Sequence, residues 1–240
     1  MWVVLKSTAL PSFGKKLFAF PRIGYTGAMR FDLVIFDCDG VLVDSEPISA
    51  RVLAHHLEQI GLPMSHEEID ARFTGRSMMS CLEIVEDLRG EPLPADFLAE
   101  LQQETYEQFR ADLKAVHGVA MVLDSLRIPY CVASSGDHDK MRLTLALTGL
   151  RDRFEGGIFS ATEVPRGKPF PDLFLHAAKS MGAEPSRCAV IEDSEPGVRA
   201  AVAAGMTVFG YTERSDAKRL EVAGAVVFDS MEQLPALLTG

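Results

Sequence analysis

The sequence predicts an α/β fold: a doubly wound parallel sheet with an inserted all-helical block. Three observations predict it. Short apolar runs alternate with helical stretches along most of the chain, the order of a parallel sheet covered by helices on both faces. The apolar runs lack a polar alternation, as do strands buried on both sides. Residues 46–115, between the first and second runs, show helical spacing and no convincing strand.

The first strand is residues 31–36, apolar apart from Asp32, and Gly40 allows a sharp turn after it. Pro47 suits the first position of a helix, in which Ile48, Val52, Leu53, Leu57 and Ile60 recur at helical spacing until Gly61 ends it. Further helices are expected near 66–73, 78–88 and 95–109. The block 46–115 is therefore expected to be a helical cap set into a core formed by 30–45 and 116–240. A helix at 119–126 leads to a strand at 129–133 that ends in Ser134-Ser135-Gly136. A helix at 138–147 stops before Gly149, and a short strand at 157–160 follows. Next come a helix at 171–181 and a strand at 188–191 ending in Glu192-Asp193. An alanine-rich helix at 196–204, strands at 207–211 and 225–228, and a helix at 231–238 complete the chain.

With 240 residues, 47% of them hydrophobic, the chain can form one large domain or a core with an inserted module. Its net charge is −10, and residues 1–29 hold four basic side chains (Lys6, Lys15, Lys16, Arg22) and no acid, so the remainder is still more acidic. Such a body repels nucleic acid and anionic membranes, and an anionic substrate would need positive charge built into its site. Cys38, Cys81, Cys131 and Cys188 show no CxxC spacing and read as free thiols of a reducing compartment, the cytoplasm. No apolar run approaches the ~20 residues of a membrane span. Residues 1–29, interrupted by Pro11 and Pro21, are set outside the fold. Their bias is that of an organellar targeting peptide. An upstream translation start, with Met29 directly before the first strand, accounts for them equally well and is the preferred reading.

Asp37 and Asp39 stand two apart where the first apolar run ends, so in an extended chain they point the same way. The carboxyl end of a buried strand is where open α/β sheets place ligands. Adjacent carboxylates repel and call for a cation, a shared proton or both, and Mg²⁺ is a common partner of oxygen ligands. An Asp-rich turn is the plainer alternative. Two later strands end in Ser134-Ser135 and Glu192-Asp193, and Lys168 lies between them. Taken singly, the serines and acids read as helix caps and the lysine as solvated surface. A parallel sheet brings all these groups to one edge, and acids for a metal, a hydroxyl and a lysine together suit phosphoryl transfer.

Four motifs occur in order: Asp37-Cys38-Asp39-Gly40, continuing to Val43-Asp44-Ser45-Glu46; Val132-Ala133-Ser134; Lys168-Pro169-Phe170-Pro171-Asp172; and Glu192-Asp193-Ser194-Glu195-Pro196-Gly197. In these the chain, over residues 30–230, resembles the haloacid dehalogenase superfamily, in the group with a helical cap after the first strand. The resemblance implies a Rossmann-like core in which Asp37 is the nucleophile and Asp39 protonates the leaving alcohol and then activates water. It further implies that Ser134 and Lys168 hold the phosphoryl oxygens. Asp37, the main-chain carbonyl of Asp39, and Asp193 would bind Mg²⁺, with Glu192 assisting. Ser135, Glu46 and the cap residue Arg76 are further candidates for substrate binding.

Family dehalogenases lack the second aspartate, so Asp39 speaks against carbon–halogen cleavage. Phosphonate hydrolases of the family need a cap lysine, and this cap offers only Lys114, at its far end. Hexose-phosphate mutases carry Lys-Gly-Val-Ser-Arg where this chain has Thr74-Gly75-Arg76-Ser77-Met78. The implied function is a Mg²⁺-dependent phosphatase of a small phosphorylated metabolite, a sugar phosphate, resembling the 6-phosphogluconate phosphatase type. A β-phosphoglucomutase-like enzyme is the alternative, and a non-catalytic regulatory protein is the alternative of another class. The expected partner is the small metabolite alone, on a monomer or weak homo-oligomer. His55 and His56 are expected to be partly exposed cap residues.

Overall fold

The structure, a computed structural model, describes residues 30–73, 76 and 78–239. The basic residues 1–29 and Thr74, Gly75 and Ser77, within the expected cap, lie outside the described residues.

The chain runs through β1 (Leu33–Phe36), α1 (Glu46–Gln59), α2 (His66–Phe73), α3 (Met78–Arg89), α4 (Phe97–Asp112) and α5 (Val119–Ser125). It continues through β2 (Tyr130–Ser134), α6 (His138–Leu147), β3 (Ile158–Ser160), α7 (Asp172–Met181) and β4 (Cys188–Glu192). The last elements are α8 (Glu195–Ala203), β5 (Thr207–Tyr211), α9 (Ala217–Ala223), β6 (Val226–Phe228) and α10 (Leu234–Thr239). Among the described residues, six strands form one all-parallel sheet in the order β3-β2-β1-β4-β5-β6. Ile35 at the centre pairs with Cys131 on one side and Val190 on the other.

Every residue of β1 is buried, because the pleat sends alternate side chains into two cores. Val34 and Phe36 join Val122 of α5, Leu145 of α6 and Leu234 of α10. Leu33 and Ile35 join Phe174 of α7, Val198 of α8 and Leu220 of α9 on the opposite face. That is why the apolar runs show no polar alternation. The strand order reverses between β1 and β4, so the loops leaving these two strands diverge and open a crevice at their carboxyl ends.

Helices α1 to α4 pack around their own apolar cluster, which includes Leu57, Phe73, Val85, Phe97 and Phe109. The two chain crossings between this block and the sheet lie side by side, with Asp44 N–H donating to Lys114 O at 2.9 Å and Val116 N–H to Leu42 O at 3.0 Å. Among the described residues, no helix is long and apolar enough to cross a membrane. Cys38, Cys131 and Cys188 are buried free thiols, and Cys81 is a half-buried one.

Two features differ from the sequence-based expectation. His56 is buried, 5% exposed, with its Nε2 3.0 Å from Glu104 and its ring edge-on to Phe97. It lies on the apolar stripe of α1, four residues after Val52 and four before Ile60, while its polar partner comes from α4; His55, next to it, is exposed. The helix α9 was not expected. It is seven residues long, begun by the Asp216 carboxylate accepting from the amides of Lys218 and Arg219 and ended at Gly224 with φ +113°. Caps, rather than an apolar stripe, define it.

Candidate active site

The crevice at the ends of β1 and β4 gathers most of the charged side chains that the motifs single out. Asp37 follows β1 directly, is 6% exposed, and its N–H donates to Ile191 O at 2.9 Å, which ties it to the end of β4. Glu192 and Asp193, at the end of β4, are 0% and 7% exposed. Ligand oxygens of Asp37, Glu192 and Asp193 lie within 4.8 Å of one another.

Lys168 enters from the loop before α7, its side chain 1% exposed and its Nζ 5.2 Å above the ring of Phe174. The ammonium lies 3.0 Å from Asp37 Oδ1 and forms a second ion pair with Glu192 Oε1. Glu192 Oε2 accepts from Asp193 N and Ser194 N at 3.0 Å each and from Ser194 Oγ at 2.9 Å. Both oxygens of Glu192 are therefore committed. Asp37 Oδ1, despite the nearby ammonium, accepts no hydrogen bond of good geometry.

Asp39 has partners of its own. Its Oδ1 accepts from Ser45 Oγ at 2.6 Å, and its Oδ2 is 2.9 Å from the ammonium of Lys140, on the first turn of α6. Ser134, at the end of β2, is buried and accepts from Gly136 N–H at 3.1 Å. Its hydroxyl hydrogen meets no acceptor among the described residues.

Two glycines make this crowding possible. Gly40 has φ +74°, and a Cβ there would lie 2.0 Å from Asp193 Oδ2. At Gly197, in α8, a Cβ would lie 1.8 Å from Glu192 Oε1. The loop after β1 and the helix after β4 can close on the two acids only without side chains at these positions.

Burial pushes the Asp37 carboxyl up to about 7; Lys168 pulls it back while Glu192 and Asp39 add to the rise. Burial also raises Asp193, helped by the Glu192 and Asp37 carboxylates. Burial opposes the charge on Lys168, but Asp37 and Glu192 outweigh it and raise the ammonium above its usual range. For Asp39, burial works upward, yet the Lys140 ammonium and the Ser45 hydroxyl hold the carboxyl below its usual range.

The residues fit a hard divalent cation such as Mg²⁺. Three buried carboxylates converge, burial and mutual repulsion disfavour the anionic forms of Asp37 and Asp193, and Asp37 Oδ1 lacks a good donor. Oxygen ligands at this spacing suit such an ion, and Lys168, the one buried lysine facing them among the described residues, cannot balance three carboxylates.

A cavity of about 380 Å³ opens between this edge and the helical block. Asp37, Asp39, Ser134, Ser135 and Asp193 border it from the sheet edge, and Glu46, Leu53, Phe73, Leu82 and Leu98 from the helical block. That size accommodates a small metabolite. Lys168 and Glu192 are not among the residues lining the cavity. Arg76 is exposed and borders it, next in the chain to residues that lie outside the described ones. Lys140 also borders the cavity and was missed from sequence. The available signal was its place six residues after Ser134, early in a helix that begins at the same sheet edge.

A family profile described as haloacid dehalogenase-like hydrolase matches residues 31–205. The 6-phosphogluconate phosphatase of Escherichia coli (strain K12) is 31% identical over 209 residues, covering 87% of this chain and 95% of that protein. Hexitol phosphatase A of the same organism is 32% identical, covering 86% of this chain and 94% of that protein. Among solved structures, a haloacid dehalogenase-like protein from Agrobacterium tumefaciens superposes with a TM-score of 0.77 at 40% identity, over 87% of this chain and 97% of its own.

Proposed function

The chain belongs to the haloacid dehalogenase-like hydrolases, and within that family we propose that it is a Mg²⁺-dependent phosphatase of a small sugar phosphate, working through a phosphoaspartate on Asp37. The observation that carries this reading is the convergence of Asp37, Glu192 and Asp193 beside Lys168 at the edge of a cavity under the helical block. The named relatives, two phosphatases acting on a sugar acid phosphate and on hexitol phosphates, support the substrate class.

In the proposed cycle Asp37 attacks phosphorus while the bond to the leaving alcohol breaks. Lys168 faces the same carboxylate and would neutralise charge on the phosphoryl oxygens, to which the Ser134 hydroxyl would donate a hydrogen bond. Asp39 gives the departing oxygen a proton, and afterwards takes one from the water that cleaves the phosphoaspartate. Asp37, Asp193 and the main-chain carbonyl of Asp39 would hold Mg²⁺, which supplies charge neutralisation of the phosphoryl group when bound. Glu192, with both oxygens committed, acts by fixing Lys168 and the turn that carries Asp193. Glu46, Ser135 and Arg76 border the space for the leaving group. Helices α1 to α4 act as the cap that encloses it, and the cytoplasm is the proposed site of action.

The test is a panel of phosphorylated sugars, sugar acids and polyols given to the full chain with Mg²⁺, scoring both inorganic phosphate and sugar-phosphate isomers. Phosphate release that stops with a chelator is the expected result. Isomer formation without release would make the chain a mutase, and no turnover at all would favour a regulatory protein.

A further inference from the structure

Among the described residues two lysines pair with the carboxylates at the sheet edge, and the motifs account for one. Lys140 of α6 pairs with Asp39 Oδ2 at 2.9 Å, while the Ser45 hydroxyl holds Oδ1 at 2.6 Å. Asp39 is thus clamped between the segment leading into α1 and a helix of the core. The placement of the lysine is built into the fold. Its own amide donates to the Asp137 carboxylate at 2.8 Å, the bond that starts α6. Beneath its stem lies Gly136, where a Cβ would stand 3.4 Å from Lys140 Cδ and 3.8 Å from Asp39 Oδ2. Side-chain exposure is 25% for Lys140 and 15% for Asp39, and both border the cavity. This is not a surface ion pair screened by solvent.

We propose that Lys140 is a positioning residue that holds the Asp39 carboxyl toward the leaving oxygen of the substrate. The inference rests on the phosphatase reading above. In the step concerned, the bond from Asp37 to phosphorus forms as the bond from phosphorus to the alcohol oxygen breaks. The Asp39 proton passes to that oxygen, leaving a carboxylate facing the ammonium. The ammonium disfavours the protonated acid before the transfer and favours the carboxylate after it. These effects oppose each other, so orientation is its main contribution. Misplacement of a reacting group by an ångström costs on the order of 10²-fold.

The test compares kcat/KM for an alkyl phosphate, whose alcohol needs a proton to leave, with p-nitrophenyl phosphate, whose phenolate leaves without one. Lys140→Met keeps the stem and removes the charge. It is expected to lose about 10²-fold on the alkyl ester and less than about tenfold on the aryl ester, as loss of general-acid help requires. Lys140→Arg is expected to restore most of the alkyl activity. Equal losses on both esters, or none on either, would overturn the proposal, because a direct phosphate contact or a purely structural role affects both alike. Should the Met variant not fold, Lys140→Gln supplies the same ratio. Wild-type protein inactive on every phosphoester would instead overturn the phosphatase reading itself.

Discussion

Gly197→Ala reverses a general rule. Alanine is ordinarily better than glycine inside a helix by about 1 kcal/mol. In α8 the added methyl would lie 1.8 Å from Glu192 Oε1, 2.0 Å from its Cδ and 2.3 Å from Oε2. The carboxylate cannot retreat, since Lys168 holds one oxygen and three donors at 2.9–3.0 Å hold the other. Either α8 or Glu192 must shift by over an ångström. Overpacking costs about 1–3 kcal/mol, and each lost hydrogen bond to a charged group about 1.5–3 kcal/mol. With one such bond broken, the expected loss is about 2.5–6 kcal/mol. In a chain of this length that lowers the melting temperature by about 5–24 °C. Gly182→Ala is the control: its Cβ meets nothing within 4 Å, and the strain is confined to a backbone at φ +74°, about 1–2 kcal/mol. Scanning calorimetry of both variants in chelator makes the comparison. A Gly197→Ala protein that melts no lower than the Gly182→Ala protein would refute the packing argument.

Three further outcomes are expected. Asp37→Asn should abolish phosphate release while raising the melting temperature of the metal-free protein, because it removes a buried charge that the fold disfavours; substantial residual turnover would exclude Asp37 as nucleophile. Lys168→Met should lower turnover on every phosphoester by about 10²–10³-fold and destabilise the chelated protein by about 3–5 kcal/mol, since it strands buried carboxylates. A loss confined to one substrate would make Lys168 a selectivity residue. Without metal, the Asp37 carboxyl is raised from 3.8 to about 7, so between those values the folded chain keeps a proton that the unfolded chain releases. Stability should therefore fall as pH rises through that window, and Mg²⁺ should flatten the slope; denaturant titrations in chelator showing a rise across it would contradict the assignment.

Much of the site was legible because its chemistry is local. Asp37 and Asp39, two apart after a buried strand, share a face by backbone geometry alone, and Glu192-Asp193 announces itself at the end of another apolar run. The parallel sheet could be inferred from alternating strands and helices, and a parallel sheet has one carboxyl edge. That was enough to bring distant motifs together without coordinates. The alternation of Val34 and Phe36 against Leu33 and Ile35 then explains why both faces of β1 had to be apolar.

Pairings across elements were not legible. His56 shares the apolar stripe of α1, but the partners that let a polar ring sit there, Glu104 and Phe97, belong to another helix. Lys140 becomes part of the site only once α6 is laid beside the loop after β1, and no spacing rule joins residues 101 apart in the chain. The commitment of both Glu192 oxygens, and the need for glycine at 197, likewise exist only in three dimensions. Residue order by itself determined the fold class and which charged groups stand at the strand ends, since periodicity and strand ends are properties of the nearby chain. Tertiary packing alone decided which charge faces which, since Coulomb forces and steric overlap depend on distance through space.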